Sequence, residues 1–323
     1  MITRNAIVGP GLESLSGIGI SVSGGAPVIS YNIIRGNYPC CWGGGVLLDG
    51  SDAKLRCNLI QGNGAYYGAG VLIQGGHPEV TNNTIVENAG WVGGGLHTYG
   101  PGLVANNVIA FNTAEIYGGG ITDWSVNTEF RHNNVFGNVP DNYSTEILTG
   151  TNGNISEDPQ FVEPGAPGCA GFQPRSSSPL IDAASATWSC AEDLRGIPVP
   201  LDGDADGVAT GDIGARENEG LTGLRHTGVE FTWDPGRHAP PDYNVYRGDL
   251  TVLKATGNYT QDPFIVPGAR HFCDIGASLG DPDAPPPGVA WFYLPAAWGV
   301  VEGALGFDSS PAERPKTLPC FGP

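Results

Sequence analysis

The chain has 323 residues, among them 51 glycines and 27 prolines, and a formal net charge of −18. Glycine lacks the every-third-residue period of collagen, and seven tryptophans with 40% hydrophobic residues argue against disorder. The acidity argues against a nucleic-acid partner, because phosphate binding needs a basic surface, and no run of about 18 apolar residues marks a transmembrane segment.

Met1–Asn5 reads as the middle of a coil rather than as a signal peptide, so either more chain precedes it or the first coil is open. An open coil exposes β-edges that invite pairing, which leads to an expectation of self-association into a fibre or oligomer. Asn5-Ala6-Ile7 with Gly17-Ile18-Gly19-Ile20 reads as an early, less regular coil. Regular repeats follow. A glycine stripe recurs as Gly43-Gly44-Gly45, Gly68-Ala69-Gly70, Gly93-Gly94-Gly95 and Gly118-Gly119-Gly120, the last glycines 25 residues apart. Ahead of each stripe stands an Asn-x-Ile/Val motif, beginning at Asn32, Asn58, Asn83, Asn107 and Asn133. A second asparagine comes five residues later, at Asn37, Asn63, Asn88, Asn112 and Asn138.

Between these markers lie short alternating strands such as Val46-Leu47-Leu48 and Val71-Leu72-Ile73. One such coil cannot bury its own apolar face, but coils stacked about 4.8 Å apart can. The asparagines are then expected to stack at corners and hydrogen-bond along the axis, and the glycines to supply positive φ at a tight turn. From about Asn5 to Asn154 the repeat resembles the pectate-lyase-like superfamily. That resemblance implies a right-handed parallel β-helix, a hand the period alone does not determine, and it is nearly silent on chemistry.

The repeat ends near Asn154. Then come Glu157-Asp158-Pro159-Gln160-Phe161, Ser178-Pro179-Leu180-Ile181-Asp182, Asp193-Leu194-Arg195-Gly196 and Asp212-Ile213-Gly214-Ala215-Arg216-Glu217. In this order they resemble the choice-of-anchor Q domain, which implies a C-terminal cap on the solenoid and a bacterial extracellular or cell-surface location. Cys169 and Cys190 bracket this stretch and are the first expected disulfide. Within it, Asp202, Asp204 and Asp206 alternate, with Asp212 beyond, like the start of a calcium loop. The twelfth loop position holds Ile213, so a full EF-hand is excluded. Ca2+ is the cofactor this pattern points to, and an acidic solvated turn is the alternative.

From about Leu221 the composition changes again. Phe231-Thr232-Trp233, Tyr243-Asn244-Val245-Tyr246-Arg247 and Trp291-Phe292-Tyr293 resemble the strands of a fibronectin type III-like β-sandwich. Cys273 and Cys320 are placed to tie its last strands. The expected organisation is all-β: coils over 1–156, a cap over 157–219 and a sandwich over 220–323.

The solenoid carries scattered acids and no Asp-x-Asp. Glu87 and Glu115 on neighbouring coils, and His97 with Asp123 near the strands after the glycines, are the catalytic candidates. The plainer reading of each is an exposed polar surface. Aromatic residues give the stronger signal. Trp42, Tyr67 and Tyr117 immediately precede the stripe, and Tyr66 and Trp91 fall one place earlier. Tyr99 and Trp124 share a register with Asp49 and Gln74. These rings are expected to line one wall suited to a linear polysaccharide, the alternative being that they pack over the corners. The functional expectation is a secreted or cell-surface binding or scaffold protein, with a polysaccharide lyase or glycoside hydrolase on the same solenoid as the second reading.

Overall fold

The computed structural model describes residues 1–10, 17–125, 127–162, 169–175, 177–201, 203, 208–218, 222–226, 230–234, 242–256, 259–261, 263, 265–275, 278–280 and 291–298. Two compact units emerge. The first comprises Met1–Pro174, Ser178–Leu201 and Thr210–Glu217; the second comprises Arg175–Ser177, Asp202–Ala209 and Asn218–Pro323. The coils and most of the segment that follows them therefore form one body.

The first unit is a parallel β-solenoid with four sheets. Sheet A stacks Ile2–Thr3, Val28–Ser30, Lys54–Arg56, Glu79–Thr81, Gly102–Ala105 and Thr128–Arg131. Sheet B stacks Ala6–Val8, Ile33–Arg35, Leu59–Gln61, Thr84–Val86, Val108–Ala110 and Asn134–Phe136. Sheet C stacks Ile20–Ser23, Val46–Asp49, Val71–Gln74, Leu96–Thr98 and Ile121–Asp123, and the short sheet D stacks Gly64–Tyr67, Ala89–Val92 and Thr113–Tyr117. One coil runs through C, A, B and D and returns to C one rung further on. Each strand thus pairs with its own counterpart in the next coil: Val46 with Val71, Val71 with Leu96, Leu96 with Ile121.

That register stacks like on like in the core. Ile34, Ile60, Ile85, Ile109 and Val135 form one buried column, and Leu55, Val80, Val104 and Phe130 another. Leu55, Val80, Ile60 and Ile85 are fully buried, each worth roughly 2 kcal/mol of apolar burial.

The corners explain the asparagines. Between sheets A and B one residue adopts left-handed φ, at Tyr31 (57°), Cys57 (56°), Asn82 (53°), Asn106 (55°) and His132 (49°), and a ladder asparagine follows it. Asn58 Nδ2 donates to Asn83 Oδ1 at 2.9 Å, Asn83 to Asn107 at 3.0 Å, and Asn107 to Asn133 at 3.0 Å. A second ladder runs from Asn37 through Asn63, Asn88, Asn112 and Asn138 with spacings of 2.9–3.0 Å. Each rung also ties a backbone N–H to the next Oδ1, so the buried amides are satisfied.

The residues after the last coil lie along a flank. Leu180, Ala184, Leu194, Ile213, Ala215, Phe161 and Phe172 pack on Leu59, Val86, Val108 and Ala110, the outward side chains of sheet B. Here the separate motifs converge. Asp193 accepts from the backbone N–H of Arg195, Ile197 and Glu217, and the Arg216 guanidinium lies 3.7 Å from it. The Leu194 N–H donates to Ala215 O, and the Ile213 N–H to Leu180 O.

Cys190 of this flank is disulfide-bonded to Cys57, with Cα atoms 6.8 Å apart across 133 residues. The expected Cys169–Cys190 bond is therefore corrected. Cys190 meets a solenoid corner because its segment lies along sheet B, a long-range contact that cysteine spacing does not report. Cys273 is also disulfide-bonded; Cys320 lies outside the described residues.

The second unit is antiparallel. One sheet orders Thr222–His226, Glu230–Asp234 and Ser278–Gly280; the other orders Arg270–Ile275, Asp242–Asp249 and Trp291–Trp298. A short helix, Leu250–Thr256, follows Asp249, whose carboxylate caps it by accepting from Thr251 N (2.6 Å) and Val252 N (3.3 Å). Arg247 is buried, with its guanidinium 3.9 Å over the Trp291 ring and its Nε donating to Gly268 O.

Candidate functional site

The outer surface where sheet D meets sheet C carries nearly all the aromatic candidates. The glycine stripe makes this possible, and each of its positions does so differently. The first glycine has positive φ (61° at Gly43, 62° at Gly68, 70° at Gly93, 71° at Gly118), and a Cβ there would meet the side chain of Leu47, Leu72, His97 or Thr122. The third has no room on the inner side: a Cβ on Gly45 would lie 2.7 Å from Gly70 O and 2.8 Å from Ile60 Cγ2. The chain therefore folds back tightly, and side chains of sheet D reach over the outward row of sheet C. Leu72, His97 and Thr122 belong to that row and are nevertheless fully buried.

The rings form one connected surface. Trp91 stacks on Tyr66 (5.2 Å between centroids), Tyr66 adjoins Tyr67 (5.3 Å), and Tyr67 stacks on Trp42 (4.7 Å). Trp42 approaches Tyr99 (6.5 Å), Tyr99 packs edge-on to Trp124 (5.2 Å), and Trp124 approaches Tyr117 (6.2 Å). All six expected ligand-binding residues, Trp42, Tyr67, Trp91, Tyr99, Tyr117 and Trp124, thus join a single network with Tyr66. Their connection across coils follows from register: Trp42 bridges Tyr67, Val92 pairs with both Tyr67 and Tyr117, and the Tyr99 and Trp124 backbones continue the sheet C ladder. Trp42, Tyr66, Trp91 and Trp124 remain 37–45% exposed, so the network presents ring surface to solvent as well as to the protein. Two shallow depressions flank Trp42. One of ≈ 300 Å³ is lined by Trp42, Gln74, Gly75 and Tyr99, and one of ≈ 360 Å³ by Cys40, Cys41, Trp42, Leu47 and Gln74 among others.

His97 lies beneath this surface. Its ring stacks on Tyr99 at 4.5 Å and meets Trp124 edge-on at 4.7 Å, and neither nitrogen makes a hydrogen bond of good geometry. Burial pushes its pKa down to about 4, a partial interaction with the Val92 carbonyl opposing the shift. At neutral pH it is an uncharged aromatic filler. Asp123 pairs with Thr98, one residue from the position opposite His97, so the strand alternation turns the two to opposite faces. The Asp123 carboxylate instead accepts from Ser125 N at 2.8 Å and the Thr128 hydroxyl at 3.4 Å, and burial raises its pKa against those two bonds.

The other carboxylate candidates are also apart. Glu87 stands at the corner before sheet D with φ 57° and accepts from Gln61 Nε2 at 2.9 Å. Its counterpart in the next coil is Phe111, and Glu115 is four residues beyond that on exposed sheet D, so the two do not hold equivalent places on successive coils. Asp202, Asp204 and Asp206 lie outside the described residues. Asp212 accepts from Asp182 N at 3.0 Å, and no group of three or more metal-ligating side chains occurs among the described residues.

Sequence reading missed the Cys40–Cys41 pair beside Trp42, although its adjacency to the glycine stripe was visible. It also missed Gln74 as a floor residue of both depressions.

Four parallel sheets with coil-to-coil register define the class: the first unit is a parallel β-helix. Residues 2–161 match the family model described as a right handed beta helix region, so this segment carries the right-handed β-helix repeat. No curated protein and no solved structure matches the chain.

Proposed function

We propose that the ring surface over sheets C and D is a recognition site for a linear polysaccharide, carried by a secreted or cell-surface protein. The observation that supports this most is the continuity of seven aromatic rings across neighbouring coils with four of them well exposed. Rings that only filled the corners would be covered. The wall spans three rungs, about 14 Å, the scale of a few sugar units, and the apolar C–H faces of sugars suit flat ring surfaces. Gln74, which lines the depression with Trp42 and Tyr99, and its register partner Asp49 supply hydrogen-bonding groups.

An extracytoplasmic setting is favoured by the Cys57–Cys190 bond, since disulfides persist in oxidising compartments. The convergence of the Asp193, Asp212 and Arg216 motifs supports the choice-of-anchor Q reading of the flanking segment. The strand orders of the second unit, first-second-fifth and fourth-third-sixth, support the fibronectin type III-like reading, and such modules space or bind. The test is a glycan array with a parallel depolymerisation screen on the full chain. Binding without release of new chain ends supports a recognition role; release of unsaturated or reducing ends would replace it with a lyase or hydrolase.

A further inference from the structure

The turn before Trp42 holds two adjacent cysteines, and they are the free thiols among the described residues. Both are exposed, and their Sγ atoms approach to 2.6 Å, well inside ordinary sulfur contact. The backbone around them is fixed by the next coil. The Tyr67 N–H donates to Cys41 O at 3.0 Å, and the Gly43 N–H donates to Tyr67 O at 2.9 Å, so Trp42 is pinned on either side. The thiols line the ≈ 360 Å³ depression with Ile18, Leu47 and Trp42. Elsewhere the chain already holds cysteines in disulfides, at Cys57–Cys190 and at Cys273.

We propose that Cys40 and Cys41 are a redox-active vicinal dithiol that closes reversibly to a disulfide between neighbouring residues. The co-reactant is a low-molecular-weight disulfide. One thiolate of the pair attacks a sulfur of that disulfide and releases one small thiol. The second thiolate attacks the resulting mixed disulfide at the protein sulfur and releases the other small thiol. One protein S–S bond forms as the small-molecule S–S bond breaks, and the two protons pass to the released thiolates. The ring so formed includes the Cys40–Cys41 peptide. It stiffens the turn that presents Trp42 and replaces two S–H groups by an apolar S–S edge in the depression. A bond so exposed and so tightly closed belongs to the readily reduced kind. This inference rests on the turn geometry and stands whether or not the ring surface binds polysaccharide.

The experiment treats the folded full chain with oxidised glutathione, blocks remaining thiols with iodoacetamide and digests it with trypsin without reduction. Cleavage after Arg35 and Lys54 releases residues 36–54, whose only cysteines are Cys40 and Cys41. The expected peptide carries no alkyl group or glutathione and is two hydrogens lighter than the dithiol form; dithiothreitol before blocking yields the doubly alkylated peptide. In Cys40→Ser the same treatment leaves Cys41 glutathionylated or alkylated. A wild-type peptide with both cysteines alkylated or glutathionylated, or joined to another peptide, would overturn the proposal. A second measurement uses immobilised phenylarsine oxide, which needs two neighbouring thiols, on the chain reduced mildly enough to keep the Cys57–Cys190 and Cys273 disulfides closed. Retention lost in Cys41→Ser supports the pair, whereas equal retention of both proteins contradicts it.

Discussion

Asn88 stands at the middle of the second ladder, and Asn88→Ala tests whether buried amide stacking holds the coils in register. The substitution removes four hydrogen bonds: from Asn63 N and Asn63 Nδ2 to Asn88 Oδ1, and from Asn88 Nδ2 to Ile60 O and to Asn112 Oδ1. Asn88 and Asn63 are fully buried, so the Asn63 backbone N–H loses this acceptor where water has no access. At about 1 kcal/mol per bond, with a desolvation penalty of about 1–3 kcal/mol for a stranded buried donor, the loss comes to roughly 5–7 kcal/mol. The same substitution at Asn5, at an exposed end of the first ladder, removes its bonds to Thr3 O and Asn32 Oδ1 and is expected to lose under about 1 kcal/mol. Urea unfolding followed by circular dichroism gives both values from the shift in midpoint at constant slope. Equal and small losses at the two positions would refute the ladder as a source of stability.

The glycine positions separate steric from conformational effects. Gly62→Ala meets open space at φ 59° and is expected to lose about 1 kcal/mol, whereas Gly44→Ala puts a Cβ 2.4 Å from Ala69 O and is expected to lose several times as much by the same assay. His97 titrates in the other sense from a salt-bridged histidine. Its folded pKa of about 4 lies below the ordinary 6.5, so stability present above pH 6.5 falls as pH drops toward 4, by about 3 kcal/mol in full. His97→Leu, which repeats the residue its register partner Leu72 already supplies, should remove that acid-sensitive component, and an unchanged dependence would count against the buried neutral ring. Glu217 behaves oppositely. Burial raises its pKa to about 8 from an ordinary 4.5, so stability present below pH 4.5 declines as pH climbs through 8. Its two oxygens accept from Leu201 N and Asp212 N. Glu217→Gln should lose about 1 kcal/mol at low pH by giving up one acceptor, yet flatten the decline; a slope equal to wild type would contradict the assignment.

The solenoid was legible because stacking converts three-dimensional neighbours into a fixed period. Asn58, Asn83 and Asn107 announce a ladder, and Gly45, Gly70 and Gly95 announce a shared corner. The aromatic wall was legible for the same reason, since Trp42, Tyr67 and Tyr117 hold the place before the glycine stripe in three of four successive coils, Val92 holding it in the other. Facing was harder to read. A shift of one residue turns a side chain through the sheet, and His97 and Asp123 differ by that single step. Trp91 meets Tyr66 because Gly90 pairs with Ala65 and Val92 with Tyr67, whereas on the other side of the same strand, toward Thr113–Tyr117, the register shifts between Gly90 and Val92.

The flanking segment carried a signal that went unused. Leu59-Ile60, Thr84-Ile85-Val86 and Val108-Ile109-Ala110 are apolar on both faces, the mark of a sheet covered inside and out. With sheet B recognised as doubly covered, an expected end cap becomes a lateral one. The partner of Cys57 remained beyond reach, because the contact joins a corner to a chain 133 residues away.

The central claim concerns the ring surface, and the most direct measurement is titration calorimetry of the full chain with the linear polysaccharide that scores on the array. Trp42→Ala and Trp124→Ala are compared with Trp188→Ala, whose ring neighbours His132 away from the wall. Each wall variant is expected to weaken binding about tenfold, equivalent to ~1.4 kcal/mol, with Trp188→Ala unchanged. Binding unaltered by both wall variants, or equally weakened by all three, would contradict the account.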